Sequence, residues 1–269
     1  MVENATEELV LMDINEGVAT LTLNHASTIN SLSEAMMARL QACFDQLAGD
    51  TTVRAIVLRS SGKHFCAGHN LKEMTARRAD DDGGKAYFQS LFRTCSTLMK
   101  TIVRQPQPII AEVRGIATAA GCQLVAACDL AVASEDAKFA TSGVNIGLFC
   151  STPMVALSRN LTRKQAMEML LLGEFLGAAD VAQMGLINRV VPEEGLASAA
   201  MQMAQIIAQK SPVAIKMGKK AFYEQLGMSL DDAYEHAGAV MADNMMACDA
   251  QGGIGAFIAK QPMPEWIGS

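Results

Sequence analysis

The chain predicts an α/β fold with a helical C-terminal region. Three observations carry this: short β-branched runs alternate with stretches of helical periodicity, turn clusters separate them, and beyond Leu196 only helical spacing continues. Half of the 269 residues are apolar, enough for a sizeable core. Residues 1–200 read as the α/β core and residues 201–269 as the helical region.

The elements follow in order. Leu9 to Ile14 and Val18 to Leu23 flank the turn tripeptide Asn15-Glu16-Gly17 and read as a hairpin. From Ser33, residues Met36, Met37, Leu40, Phe44 and Leu47 recur at helical spacing, with Ser31 or Ser33 as N-cap and Gly49 as the stop. Ala55 to Arg59 is a short buried strand, Tyr87 to Val103 a helix, Ile109 to Val113 a strand. A helix follows Gly121, and Leu130 to Ala133 is again a strand. Asp80-Asp81-Asp82-Gly83-Gly84 reads as a surface loop. Ser151 and Thr152 suit an N-cap before a helix from Met154 to Leu161, and Leu230 to Met246 is an amphipathic helix.

The bulk properties exclude several partners. A net charge of −6 argues against general binding of nucleic-acid backbones, which needs clustered cations. The apolar run from Ile116 to Ala133 is interrupted by Gly121, Gln123 and Asp129, so a buried helix and strand are expected, not a membrane span. Seven unevenly spaced cysteines fit buried thiols in a reducing compartment. Glu3, Glu7 and Glu8 make the N-terminus unlike a cleaved targeting segment, and a cytoplasmic protein is expected. The sequons at Asn4-Ala5-Thr6 and Asn160-Leu161-Thr162 therefore carry no weight. The methionines, Met167, Met169, Met245 and Met246 among them, read as packing residues. His25, His64, His69 and His236 show no ligand spacing, so no metal is expected.

Two segments carry the chemistry: Phe65-Cys66-Ala67-Gly68-His69-Asn70-Leu71-Lys72-Glu73-Met74 and Gly115-Ile116-Ala117-Thr118-Ala119-Ala120-Gly121-Cys122-Gln123. They resemble the two signature segments of the enoyl-CoA hydratase/isomerase (crotonase) family. The resemblance continues through Cys128-Asp129, Phe139 to Pro153, Ala182 to Val191 and Gly253 to Lys260. It implies a spiral of stacked ββα units and a lyase- or isomerase-type enzyme of fatty acyl metabolism. It also implies a C-terminal region that packs on neighbouring subunits as a homotrimer or dimer of trimers.

Carried over by position, the resemblance makes the backbone N–H groups of His69 and Ala120 an oxyanion hole for a thioester carbonyl, aided by a helix N-terminus. Proton transfer by the His69 ring is the less favoured reading. Ser27, Ile29 and Ser31, with Ala67 and Leu71 opposite, would follow the coenzyme A moiety, and Phe257 and Lys260 would approach its nucleotide. No separate cofactor is implied, because coenzyme A belongs to the substrate or ligand.

The departures matter as much. Ala119 and Ala120 stand where most relatives have Gly, and Ala is costly if the turn needs positive φ. The two glutamates of standard hydratases fall at Gln123 and Gly143. Gln hydrogen-bonds but does not exchange protons near neutral pH, and Gly has no side chain, so two-glutamate hydration is not expected. Restoring Glu at both positions is expected to raise hydration if the hole is intact. Asn145, Cys150, Ser151 and Thr152 could supply replacement groups, but each has a plainer structural reading. A decarboxylase, a thioester hydrolase and a catalytically silent acyl-CoA-binding protein stay open as alternatives.

Overall fold

A computed structural model describes residues 8–269, so Glu3, Glu7 and the sequon Asn4-Ala5-Thr6 lie outside the described residues. Strands β1 (Val10–Asn15) and β2 (Val18–Leu23) form the expected hairpin. Its turn residues Glu16 and Gly17 both take positive φ, 48° and 78°, as a two-residue turn matching strand twist requires. Helix α1 (Glu34–Ala48) starts where the Ser33 hydroxyl accepts the Met36 N–H at 3.1 Å, and stops at Gly49. Then come β3 (Ala55–Ser60), α2 (Leu71–Ala76), α3 (Lys85–Arg104), β4 (Ile109–Val113), β5 (Ile116–Thr118) and α4 (Ala120–Ala127). Next are β6 (Leu130–Ser134), β7 (Lys138–Ala140), α5 (Ser151–Asn160), α6 (Arg163–Leu172), β8 (Leu176–Gly177), α7 (Ala178–Met184) and β9 (Arg189–Val191). Helices α8 (Leu196–Ala208), α9 (Pro212–Gln225), α10 (Leu230–Met246) and α11 (Cys248–Ile258) complete the chain.

Successive strands feed two sheets. The larger runs β1-β2-β3-β4-β6-β9, parallel except for β1, and the smaller runs β5-β7-β8. Thus β4 and β6 join the large sheet while β5 and β7, the strands after each, join the small one, which is the spiral of ββα units expected from the resemblance. Every residue of β2 and β4 is buried, as in a sheet covered on both faces. One face packs on α1, α3 and α4. The other, with Val57, Ile110 and Val132, packs on Leu196, Ala200 and Ala204 of α8. The boundary drawn at residue 200 therefore falls inside a helix that belongs to the core sheet.

Several local expectations are corrected. Helix α4 begins at Ala120, one residue before Gly121. Ser151 and Thr152 are the first residues of α5, not its cap. The N-cap position is Cys150, whose side chain makes no cap hydrogen bond, and Pro153 sits in the first turn, where its missing N–H costs nothing. The Asp80–Gly84 loop caps α3, its Asp82 carboxylate accepting the Gly84 and Ala86 N–H groups at 2.9 and 2.8 Å. Met169 is buried as expected, whereas Met167, Met245 and Met246 are exposed on helix faces that a single chain leaves uncovered. Six of the seven cysteines are buried and unpaired, and Cys248 is exposed. Among the described residues no helix is long and apolar enough to cross a membrane.

The last helices hang on few polar anchors. Asp129 accepts the Ile109 N–H at 2.7 Å, Lys219 Nζ at 2.6 Å and the Tyr223 hydroxyl at 2.9 Å, tying α9 to the core. Burial lowers the pKa of Lys219, and the Asp129 carboxylate opposes that shift. Neither α9 nor α10 has a fully buried residue, and Phe222, Leu230, Tyr234, Met241 and Met246 stand out from them.

Candidate active site

Four segments distant in sequence lie side by side. The Ala67 N–H donates to the Ile29 carbonyl at 3.0 Å, and the Leu32 N–H to the Gly68 carbonyl at 2.8 Å. The Thr118 N–H donates to the Cys66 carbonyl at 3.0 Å, and the Ala119 N–H to the Ala140 carbonyl at 2.9 Å. The backbone thus steps from residues 29–32 through 66–69 and 116–120 to 138–142.

At the middle step the backbones touch. Gly68 has φ +88°, and a Cβ placed on it would lie 3.1 Å from the Ala120 nitrogen and 3.0 Å from Ala119 Cβ. A Cβ on Gly121 would lie 2.2 Å from the Cys66 carbonyl oxygen. Only glycine permits such approach. The N–H groups of His69 and Ala120 flank this contact, and neither makes a hydrogen bond among the described residues. The Ala120 N–H is the first orphan donor of α4.

The turn does require positive φ, and at Ala119, with φ 51° and ψ −119°, while Ala120 is already helical. A non-Gly residue there costs about 1–3 kcal/mol, a strain held by its Ala140 hydrogen bond and by the tight packing against Gly68.

A cavity of about 570 Å³ opens over these groups. Of the residues singled out from sequence, Ser27, Ile29, Ser31, Ala67, His69, Leu71, Ala120 and Gly143 line it. Three others do not. Gln123, 3 % exposed, turns back into the core, where its Oε1 is 4.0 Å from Cys95 Sγ. Phe257 and Lys260, at and beyond the end of α11, lie away from the cavity, Phe257 being 74 % exposed.

The His69 ring packs edge-on against Phe92, centroids 5.6 Å apart, and neither ring nitrogen has a hydrogen-bond partner among the described residues. Burial lowers its pKa from 6.5, opposed by the Leu32 backbone beside it, so the ring is neutral at pH 7. At the other wall Gly143 has no room to spare. A Cβ there would meet the Leu148 carbonyl oxygen at 2.3 Å and Cys150 Sγ at 2.8 Å, because the 143–150 turn folds back with Leu148 N–H on the Gly143 carbonyl at 2.9 Å. Burial raises the Cys150 pKa, which disfavours a thiolate nucleophile. Asn145 is spent on the Gly173 carbonyl at 2.9 Å. The Thr118 and Ser142 hydroxyls pair at 2.9 Å.

Sequence reasoning missed some supporting residues. Asn30 is fully buried with φ 49°; its side chain accepts the His25 N–H at 2.8 Å and donates to the Ser61 and His64 carbonyls at 3.0 Å, shaping the Ser27–Ser31 wall. Asn tolerates this left-handed conformation, which was its only signal. Asn70 caps α2, accepting the Lys72 N–H at 3.1 Å, and Glu73 answers it. The Asn-x-x-Glu spacing was readable as a capping pattern. Phe92 has no sequence signal beyond its helix.

Comparison with known proteins agrees with this architecture. Residues 13–268 match the family described as enoyl-CoA hydratase/isomerase. The chain is 45 % identical over 261 residues to the Xenopus laevis enoyl-CoA hydratase domain-containing protein 3, mitochondrial, covering 97 % of this chain and 87 % of the relative. A crystal structure of a Mycobacterium smegmatis enoyl-CoA hydratase superposes with a TM-score of 0.92 at 53 % identity, covering 97 % and 99 % of the two chains. Human enoyl-CoA hydratase domain-containing protein 3 gives 0.91 at 42 % identity, covering 96 % and 100 %. The cytoplasmic expectation is overturned, since the frog, rat and human relatives are named as mitochondrial proteins. Buried thiols fit any reducing compartment, so the cysteines never distinguished between the two. With the match spanning nearly its whole length and the spiral of two sheets in place, the chain belongs to the enoyl-CoA hydratase/isomerase family.

Proposed function

We propose that this protein binds an acyl-CoA thioester in the cavity and that the N–H groups of His69 and Ala120 hold its carbonyl oxygen as enolate charge develops. The observation that carries this is the pair of unpartnered N–H groups flanking the Gly68 contact at the cavity floor. Such preorganised donors are worth most where charge appears in the transition state. The coenzyme A moiety runs along Ser27, Ile29 and Ser31 with Ala67 and Leu71 opposite. Phe257 and Lys260, away from the cavity of their own chain, reach the nucleotide from a neighbouring copy, in keeping with a trimer or dimer of trimers built on the apolar faces of the last helices.

Two-glutamate hydration is not part of this reading, since Gln123 is turned away from the cavity and Gly143 has no side chain. The filled space at Gly143 favours, as second reading, a silent acyl-CoA binder. Mass-resolved product analysis decides between them, with near-stoichiometric protein and a panel of enoyl-, 3-hydroxyacyl- and malonyl-type CoA thioesters. A new product lost in Ala120→Pro establishes an enzyme and names its reaction. Intact thioesters, from protein that retains them, establish the silent binder.

A further inference from the structure

Helix α11 is held in place by a carboxylate. Asp249 is its only fully buried residue, while Ile254, Phe257 and Ile258 stand exposed. The Asp249 carboxylate accepts the Ser211 hydroxyl at 2.7 Å, the Ile267 N–H at 2.8 Å and the Gly268 N–H at 3.2 Å. Its own N–H donates to the Ser269 carbonyl at 3.1 Å. Ser211 is also the N-cap of α9. One buried carboxylate thus joins the start of α11, the start of α9 and residues 267–269, and it tolerates burial because these donors replace its water.

The segment after α11 turns back along the helix. The Gln261 N–H donates to the Ala256 carbonyl at 2.9 Å and the Lys260 N–H to the Phe257 carbonyl at 3.1 Å, a Schellman reversal with Lys260 in the left-handed position at φ 54°. That position ordinarily falls to Gly; a lysine there is strained, an outlier that points to a use for its side chain. Beyond the reversal Trp266 lies over Gly253, where a Cβ would come within 3.1 Å of the indole, and its N–H donates to the Gln209 carbonyl just past α8 at 2.8 Å. Helix α11 and residues 261–269 therefore form a hairpin pinned at Asp249 and Trp266. Phe257 and Lys260 sit at its free tip, about 12 Å or more along the helix from Asp249.

We infer that Asp249 is a positioning residue for the nucleotide end of the ligand: by clamping residues 211 and 267–269 it fixes the tip that carries Phe257 and Lys260. The inference rests on the reading above, in which these two residues reach the nucleotide from a neighbouring copy. The clamp acts on that end of the ligand alone, because neither α11 nor residues 259–269 line the cavity that would hold the thioester.

Titration calorimetry with hexanoyl-CoA and with hexanoyl-pantetheine tests this, since the two share acyl group and thioester and differ in the nucleotide. Asp249→Asn turns one accepting oxygen into a donor amid the N–H groups it now binds. Hexanoyl-CoA should then bind about tenfold weaker or worse, the worth of one charge-assisted contact, while hexanoyl-pantetheine changes by no more than about twofold. Light scattering should give the variant the same assembly mass as the parent. Trp266→Leu, which leaves the carboxylate and its donors in place, should show the same selective loss to a smaller extent, and it decides the matter if Asp249→Asn fails to fold. Equal loss on both ligands, loss on neither, or a loss seen only once the assembly dissociates overturns the inference. If Lys260→Ala weakens hexanoyl-CoA and the clamp variants do not, only the inference falls. If Phe257→Ala and Lys260→Ala are both without effect, the nucleotide assignment falls with it, and if the parent binds neither ligand the thioester reading falls too.

Discussion

Gly121 and Gly143 mark the two halves of the site, and each sits where a backbone carbonyl leaves no space for a Cβ, at 2.2 and 2.3 Å. At Gly121 the close contact builds something: it presses α4 against the Cys66–Gly68 segment, beside the unpartnered N–H groups of Ala120 and His69. At Gly143 it removes something, because the Leu148 carbonyl and the Cys150 thiol occupy the space where a longer side chain would begin. On the proposed reading, the half that would hold a carbonyl rests on backbone, which tolerates sequence change as long as the approach survives. On the same reading, a proton-transferring half would rest on side chains, and one loop packing differently is enough to lose it. On that reading, a chain can keep the family fold with Ala at 119 and 120 and yet, among the described residues, line its cavity with no carboxylate.

The largest effect should come from Ala120→Pro. Proline suits the first position of a helix and removes the Ala120 N–H. It also restricts Ala119 before it, whose φ 51° and ψ −119° lie outside the extended region favoured ahead of proline. Turnover of whichever thioester reacts should fall about 10²–10³-fold. Acyl-CoA affinity should change by no more than about tenfold, the worth of one neutral hydrogen bond. If affinity and turnover fall together and the melting temperature drops, the segment has been distorted and Ala120 is not a discrete donor.

Gly121→Ala and Gly143→Ala separate the halves directly. Each should destabilise by about 1–3 kcal/mol through overpacking, measured by urea unfolding. Only Gly121→Ala should also lose acyl-CoA binding, since it drives α4 from the Gly68 segment. The same clash revises the sequence-based expectation for Gln123→Glu with Gly143→Glu. Because a side chain at 143 meets backbone, the pair should show no gain in hydration, and a gain would mean that the 143–150 turn opens easily.

Ala119→Gly probes the strain stored at the hole. Relief of the positive φ outweighs the extra flexibility of the unfolded chain, and a net gain of about 0.5–1 kcal/mol is expected in urea unfolding. A loss would show that the Ala119 methyl contributes packing against Gly68 that exceeds its strain.

The smallest effect is the pH response of His69. Its folded pKa lies below 6.5, so the unfolded chain binds the proton first as pH falls, and stability declines below 6.5 until the folded pKa is passed. Between pH 7 and 6 this amounts to at most ~0.7 kcal/mol. His69→Phe, compared with the parent by urea unfolding at both pH values, should show that much less acid sensitivity. An unchanged difference would place the ring in solvent-like surroundings.

What was legible in the sequence was local. The Asn15-Glu16-Gly17 turn, the Ser33 cap and the Gly49 stop depend on residues within a few positions, and each stands as read. The Ser151–Thr152 cap was misread because α5 starts three residues before Met154, with Cys150 at its N-cap. For the site, the resemblance pointed to the residues lining the cavity but could not say which way Gln123 faces or what presses on Gly143.

From its own residues the sequence determined the order of strands and helices, the run of buried apolar segments and the absence of a carboxylate at positions 123 and 143, because these depend on residue type and short-range spacing. Tertiary structure alone decided that segments near residues 29, 68, 119 and 142 meet in one cavity, that Ala119 bears the strained turn, and that the Leu148 carbonyl closes the space at Gly143. The reason is that those outcomes follow from hydrogen bonds and contacts between chain segments tens of residues apart, and no local periodicity encodes the distance between two backbones.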